Sequence, residues 1–199
     1  MSKHYLRKDV DLIVEDLKDN AVVAFPTDTV FGLGTAYDNL NGIQKIKDIK
    51  HREPNKPLPM MCSTIEMVKK VCVVSDQDLK IMTKIGKGAI TYIFKLKDEI
   101  DRTMVNGNDT IAIRLPNDDF ILNMINKLNK PMLVTSCNIS SEPSLKSYND
   151  VIKQFDKLVD VIVCEDAESE ISSTIYDTIN NKILREGIIT KEMIEDAMK

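Results

Sequence analysis

Pro131-Met132-Leu133-Val134-Thr135-Ser136-Cys137-Asn138-Ile139-Ser140 is an apolar run that breaks abruptly into small polar residues. The first half reads as a buried strand. The second half supports two readings. Ser136, Asn138 and Ser140 can form a polar turn leaving the strand. They can also meet a ligand, because open α/β sheets bind ligands at the carboxyl ends of their strands.

Outward from this run, strands and helices alternate. Val10, Ile13, Val14 and Leu17 recur at helical spacing, predicting an amphipathic helix over 8–18, and 21–25 reads as a short strand stopped by Pro26. A polar turn with Gly32 and Gly34 follows. Ile43, Ile46 and Ile49 predict a helix ending near Lys50, then a strand over 58–62. Ser63-Thr64-Ile65-Glu66 carries a capping-box pattern, and Ser75-Asp76-Gln77-Asp78 opens another helix. Strands are expected over 90–96 and 110–114, and a helix capped by Asn117 buries Ile121, Met124, Ile125 and Leu128. After 131–135 come a helix over 148–155, a strand over 159–164 and an acidic connector, 165–170. A hairpin then pairs 174–178 with 182–186 around Asn180-Asn181, and Thr190 caps a last short helix. Alternation predicts an α/β sheet, and the terminal hairpin makes it mixed.

At 199 residues a single domain is the default. The net charge of −4 is not the basic footprint of a nucleic-acid-binding surface, so any anion site must be a local cluster. One such cluster runs from Lys45 to Lys56 and includes Lys47, Lys50 and Arg52. Lys50 and Arg52 can complement the negative end of a helix dipole from solvent, or clamp an anion, with Arg as a planar fork and Lys as a mobile point charge. Cations facing small polar donors at a sheet mouth suit a nucleotide polyphosphate. The four cysteines form no C-x-x-C pair and there are two histidines, so no metal site is expected. Met1-Ser2-Lys3-His4-Tyr5 lacks a signal-peptide core, no apolar run reaches a membrane span, and a cytoplasmic protein is expected. Cys137 is read as packing rather than a nucleophile.

Four segments, in order, carry a family resemblance: Pro26-Thr27-Asp28-Thr29-Val30-Phe31-Gly32-Leu33-Gly34; Lys50-His51-Arg52 with Lys56-Pro57-Leu58; Ser136-Cys137-Asn138-Ile139-Ser140; and Ser173-Thr174 with Arg185. Arg114, closing Ile111-Ala112-Ile113 ahead of Leu115-Pro116, adds a fifth match. Together they resemble the YrdC/Sua5 family of L-threonylcarbamoyladenylate synthases, from about Asp9 to Ile189. The chain departs from the family pattern at Glu53-Pro54, where the proline falls one place late. It departs again at Lys87-Gly88-Ala89-Ile90-Thr91, which lacks two prolines of P-G-P-x-T, at Ser172 in place of a proline, and at the acidic connector.

The resemblance implies a single YrdC-like domain over 1–199: a twisted mixed β-sheet flanked by helices, with a large concave cationic cleft. It implies synthesis of threonylcarbamoyl-AMP and pyrophosphate from L-threonine, bicarbonate or CO2, and ATP, with Mg²⁺ carried by the ATP. A separate transferase would then make N6-threonylcarbamoyladenosine in tRNAs reading ANN codons. By the resemblance, Lys50 and Arg52 would be catalytic. ATP would meet Lys50, Arg52, Lys56, Arg114, Ser136, Asn138, Ser173 and Arg185, and threonine would meet Thr27, Phe31 and Thr135. The alternative is a divergent paralogue that binds nucleotide or double-stranded RNA without making the adenylate, which the lost prolines and acidic connector favour. A carbamoyl-phosphate enzyme is a further class, normally found in longer chains with zinc-finger cysteine pairs.

Overall fold

The computed structural model describes residues 1–167 and 173–199; Glu168, Ser169 and Glu170 of the expected connector, and Ser172, lie outside the described residues. Among the described residues, ten strands form one mixed sheet in the order β1-β8-β2-β3-β7-β4-β6-β5-β9-β10. They are β1 Lys3–Tyr5, β2 Val23–Phe25, β3 Gly32–Ala36, β4 Met60–Met61, β5 Ile90–Lys95, β6 Thr110–Arg114, β7 Met132–Ser136, β8 Val161–Val163, β9 Thr174–Asp177 and β10 Lys182–Arg185. Seven α-helices accompany them among the described residues: α1 Val10–Lys18, α2 Leu40–Lys50, α3 Ile65–Val71, α4 Asp76–Ile85, α5 Asp119–Leu128, α6 Tyr148–Phe155 and α7 Lys191–Met198. None is long and apolar enough to cross a membrane among the described residues.

Period-two alternation sorts the side chains of the strands onto two faces. Val22, Ala24, Met60, Ile90, Tyr92, Ile111, Ile113, Leu133 and Tyr176 point to one face, where buried residues of α2, α3, α4, α6 and α7 cover them. Val23, Phe25, Met61, Met132, Val134, Val161 and Val163 point to the other, under α1 and α5. That second cover is partial. Past Met61 and Val134 the same face continues into Ala112 and Arg114 of β6, Thr91 of β5 and Ile175 of β9, which line a cavity instead.

Several local expectations change for identifiable reasons. The glycine turn at 32–34 is the central strand β3, antiparallel to both β2 and β7. Its glycines give close approach: a Cβ on Gly34 would lie 2.8 Å from Val134 Cγ2 and 3.1 Å from the Leu133 carbonyl. The strand at 58–62 shortens to Met60–Met61, because Pro57 and Pro59 have no N–H for a ladder. Asp118, not Asn117, caps α5 by accepting from the Ile121 amide. Thr64 rather than Ser63 caps α3, accepting from the Met67 amide, and Ser63 Oγ is buried without a partner among the described residues. The strand β1, parallel to β8, was too short and polar to be legible. The Ser75–Asp78 capping box, the helix over 148–155, the terminal hairpin and the Thr190 cap stand as expected.

The start of α2 is tied down by Asn39, whose Oδ1 accepts from the Gly42 amide at 2.9 Å while its Nδ2 donates to the Asn20 carbonyl and to Thr35 Oγ1. A Cβ on Gly42 would sit 2.3 Å from Asn39 Nδ2 and 2.7 Å from Thr35 Oγ1. Gly42→Ala normally adds about 1 kcal/mol of helix propensity. Here the lost cap, about 0.5–2 kcal/mol, and the crowding, about 1–3 kcal/mol, together outweigh it. We expect a melting temperature several degrees lower by calorimetry; an unchanged or raised value would show that the Asn39 bridge can shift at no cost.

Candidate active site

On the uncovered half of the second sheet face lies a cavity of about 380 Å³. Its floor is Met61, Thr91, Ala112, Val134 and Ile175, and four cations edge it: Arg52, Lys56, Arg114 and Arg185. Thr27, Phe31, Thr135, Ser136 and Ser173 complete the set of expected residues found there. Lys50 and Asn138 are not among the lining residues.

Arg114 is fixed from behind. At the end of β6 its guanidinium donates to Asp28 Oδ1 (2.8 Å), Thr29 Oγ1 (2.8 Å) and the Gly88 carbonyl (3.1 Å). Gly88 holds a φ of 116°, which disfavours other residues, and this turn replaces the P-G-P expected there. Asp28 also accepts from the Asn117 backbone amide, while the cap of α5 is the next residue, Asp118. Burial pulls the Arg114 pKa below its usual value while Asp28 pulls it back up. The Thr27 hydroxyl is committed locally. It donates to the Val30 carbonyl at 2.7 Å and accepts from the Thr29 amide, with Thr29 Oγ1 at 3.0 Å. Its contribution is therefore loop shape and a methyl surface. Phe31 is fully buried; its amide donates to the Leu145 carbonyl and its carbonyl accepts from the Cys137 amide.

Lys50, expected as an open cation, is only 2% exposed. Its ammonium donates to the Ser136 carbonyl (2.5 Å), the Asn138 carbonyl (2.6 Å) and Asn138 Oδ1 (2.9 Å), and its own carbonyl accepts from the Ser140 amide. Asn138 also accepts from Ser136 Oγ and donates to the Ile139 and Glu142 carbonyls. The polar turn after β7 is thus built around an ammonium rather than around solvent. Lys50 ends α2, and His51 takes the left-handed conformation (φ 50°) that turns Arg52 toward the cavity, so the two cations do not share a face. Burial pulls the Lys50 pKa down to about 8. Cys137 lies within this turn, fully buried, with its thiol pushed up to about 12 by burial. It is packing, as its surroundings leave no thiolate at neutral pH.

Arg52 braces its own loop, donating through NH2 to the Pro57 carbonyl (2.8 Å) and through Nε to the Lys56 carbonyl (3.3 Å). Arg185 does the same across the hairpin, donating through NH2 and Nε to the Ser173 carbonyl at 2.7 and 3.0 Å. Ser173 Oγ pairs with Thr91 Oγ1 at 2.8 Å. Each guanidinium keeps N–H groups free of described partners. Burial and the nearby Arg114 charge lower the Arg185 pKa. Asp28, Thr91 and Ser144 join or adjoin the cavity without having been singled out as binding residues. Thr91 was visible as the last residue of its motif, whereas Ser144 carries no sequence signal.

The model of the Sua5/YciO/YrdC family, described as "Telomere recombination", matches residues 15–187. A threonylcarbamoyl-AMP synthase of Vibrio parahaemolyticus is 30% identical over 179 residues, covering 88% of this chain and 97% of that protein. One of Bacillus subtilis is 30% identical over 184 residues, covering 90% of this chain; this chain spans about half, 53%, of that relative. The fold matches Escherichia coli YciO with a TM-score of 0.89 at 20% identity, covering 98% of this chain and all of that one. It matches Pyrococcus abyssi Sua5 complexed with L-threonine with a TM-score of 0.88 at 24% identity, covering 99% of this chain and 60% of that one. The residues lining the cation-edged cavity and the motifs in their order all sit inside the span of the family model, and the chain belongs to the Sua5/YciO/YrdC family.

Proposed function

We propose that this protein is an L-threonylcarbamoyladenylate synthase, a nucleotidyltransferase acting in tRNA modification. The observation that carries the reading is the convergence of Arg52, Lys56, Arg114 and Arg185 on one cavity whose apolar floor can take an amino acid and a nucleoside. L-Threonine's amine adds to CO2 and loses a proton, giving a carbamate. A carbamate oxygen attacks the α-phosphorus of ATP, the α–β bridging bond breaks, and pyrophosphate leaves. The nucleophile is already an anion, so the protein has no proton to abstract from it. Its task is to hold two anions together and to stabilise the charge developing on pyrophosphate.

Arg52 is the cation we assign to the transferring phosphate, with Lys56, Arg114 and Arg185 along the polyphosphate and Ser136 and Ser173 at its polar edge. Lys50 and Asn138 act from beneath by shaping the turn that presents Ser136. Thr135 offers its hydroxyl to threonine, while Thr27 and Phe31 shape the pocket around it. Asp28 is already held by Arg114 and the Asn117 amide, so Mg²⁺ arriving with ATP would be coordinated chiefly by phosphate oxygens and water. The reaction would take place in the cytoplasm, and the product would pass to a transferase that modifies tRNA. The direct test is incubation with ATP, L-threonine and bicarbonate, reading pyrophosphate and the adenylate by mass spectrometry. Release should require all three substrates. No release from folded, ATP-binding protein would leave the non-synthetic paralogue as the better reading, and a salt-dependent RNA shift would then test its RNA form.

Arg52→Lys removes the planar fork. Charged bidentate hydrogen bonds contribute about 1.5–3 kcal/mol, so turnover should fall at least about tenfold. The melting temperature should move by no more than about 2 °C, because the Lys56 carbonyl is exposed and the Pro57 carbonyl only partly buried, so both can take water instead. Near-wild-type turnover would place Arg52 outside the reaction.

Lys50 predicts a pH limb. Its three acceptors need all three N–H bonds, so loss of a proton near pH 8 loosens the turn and the rate should fall above that value. Stability should not fall for this reason. The folded pKa lies below the ordinary 10.5, so between about 8 and 10.5 the unfolded chain binds more protons and this group's contribution to stability rises with pH. Rate and melting profiles from pH 7 to 9.5 check both signs; a flat rate profile would show that the buried ammonium does not govern turnover.

A further inference from the structure

The buried positions of α2 are Gly42, Ile43, Ile46, Lys47 and Lys50, so two of the five are lysine. Lys50 is accounted for by the turn after β7. Lys47 is not: it is 5% exposed, carries no carboxylate partner among the described residues, and occupies a place where an apolar side chain would be cheaper to bury. Its ammonium donates to the Pro54 carbonyl at 2.8 Å and to Asn106 Oδ1 at 2.6 Å. Asn106 is itself held in a left-handed turn, φ 55°, after the 3-10 turn Thr103–Val105. Pro54 lies between Arg52 and Lys56, the two cations that this loop brings to the cavity. The Lys47 carbonyl also accepts from the Arg52 amide at 2.9 Å, so one residue grips the loop at its root and at its crest.

We propose that Lys47 is a positioning residue: it anchors the 52–57 loop to the turn at Asn106 and so sets where Arg52 and Lys56 meet the polyphosphate of the nucleotide. From within, the loop is held by Arg52 on the Lys56 and Pro57 carbonyls and by the Lys56 amide on the Glu53 carbonyl. Those bonds keep its shape but do not fix it to the body of the protein. Lys47 supplies that attachment with neutral acceptors only, so no positive charge facing the nucleotide is cancelled. In turnover the inference rests on the synthase reading; in nucleotide binding it does not.

The test compares wild type with Lys47→Met, Lys47→Arg and Asn106→Gly. The last keeps the left-handed turn and removes the acceptor. Affinities for Mg-ATP, with and without L-threonine present, and for L-threonine are measured by calorimetry, alongside thermal melts and pyrophosphate release. Lys47→Met should weaken ATP at least tenfold and leave L-threonine within twofold, with a melting temperature equal to or above wild type. Lys47→Arg should recover part of the ATP affinity, and Asn106→Gly should lose a smaller part of it. Unchanged ATP affinity in folded Lys47→Met and Asn106→Gly overturns the proposal. So does an equal loss for both ligands accompanied by a lower melting temperature, which would mark a purely structural lysine. If Lys47→Met does not fold, Asn106→Gly decides by the same ATP-against-threonine split. Wild type that binds ATP without threonine-dependent release removes the synthase reading alone. Wild type that binds no ATP removes both.

Discussion

A sheet has two faces to cover, and this chain covers one and a half of them. Five helices cover one face throughout, and α1 and α5 cover the other only as far as Met61 and Val134. The remaining strands would expose apolar surface to water if they carried the usual residues. They carry Thr91, Ala112 and Arg114 instead, with Ile175 as the larger apolar group. The cavity is therefore a continuation of the core with its lid of helix missing and its side chains adapted to a polar occupant.

Most of the cations at that opening, and the two lysines buried beneath it, are held in a common way. Arg52, Arg185, Lys47 and Lys50 are braced by carbonyl oxygens, which orient a charge without neutralising it. Arg114 alone among them is paired with a carboxylate, Asp28. Fixing donors before a ligand arrives avoids reorganisation when charge develops, which is the physical content of electrostatic preorganisation. The cost is borne by the protein: lysines in a core face desolvate without full compensation.

The architecture was largely legible because it rests on periodicity. Runs such as 131–135 and 110–114, and the α1 and α5 stripes, could only be buried strands and amphipathic helices. What was not legible depended on partners distant in sequence. Gly32 and Gly34 read as turn formers because nothing nearby shows that Val134 presses against them. Asn117 read as a cap because Asn117 and Asp118 stand side by side before the stripe, and only the fold shows that Asp118 takes the Ile121 amide while the Asn117 amide goes to the distant Asp28. At the site, the motifs identified most residues that reach the cavity, but not the direction each one faces. Lys50 and Asn138 stand in the right motif and point into the protein. Lys47 stood only as one more cation of the 45–56 cluster, since a helix stripe is read from its isoleucines and not from lysines that share their face.

Burial first, and then the nearby Arg114 charge, lower the Arg185 pKa, and this crowding of positive charge bears on how the folded state is weighed against the unfolded one. A polyanion that binds only the native chain relieves that crowding and draws the folding equilibrium by mass action, by RT ln(1 + [L]/Kd). For any anion that binds the cavity in this way, apparent stability becomes a function of solution composition, and a melting temperature has meaning only beside the concentration of that anion.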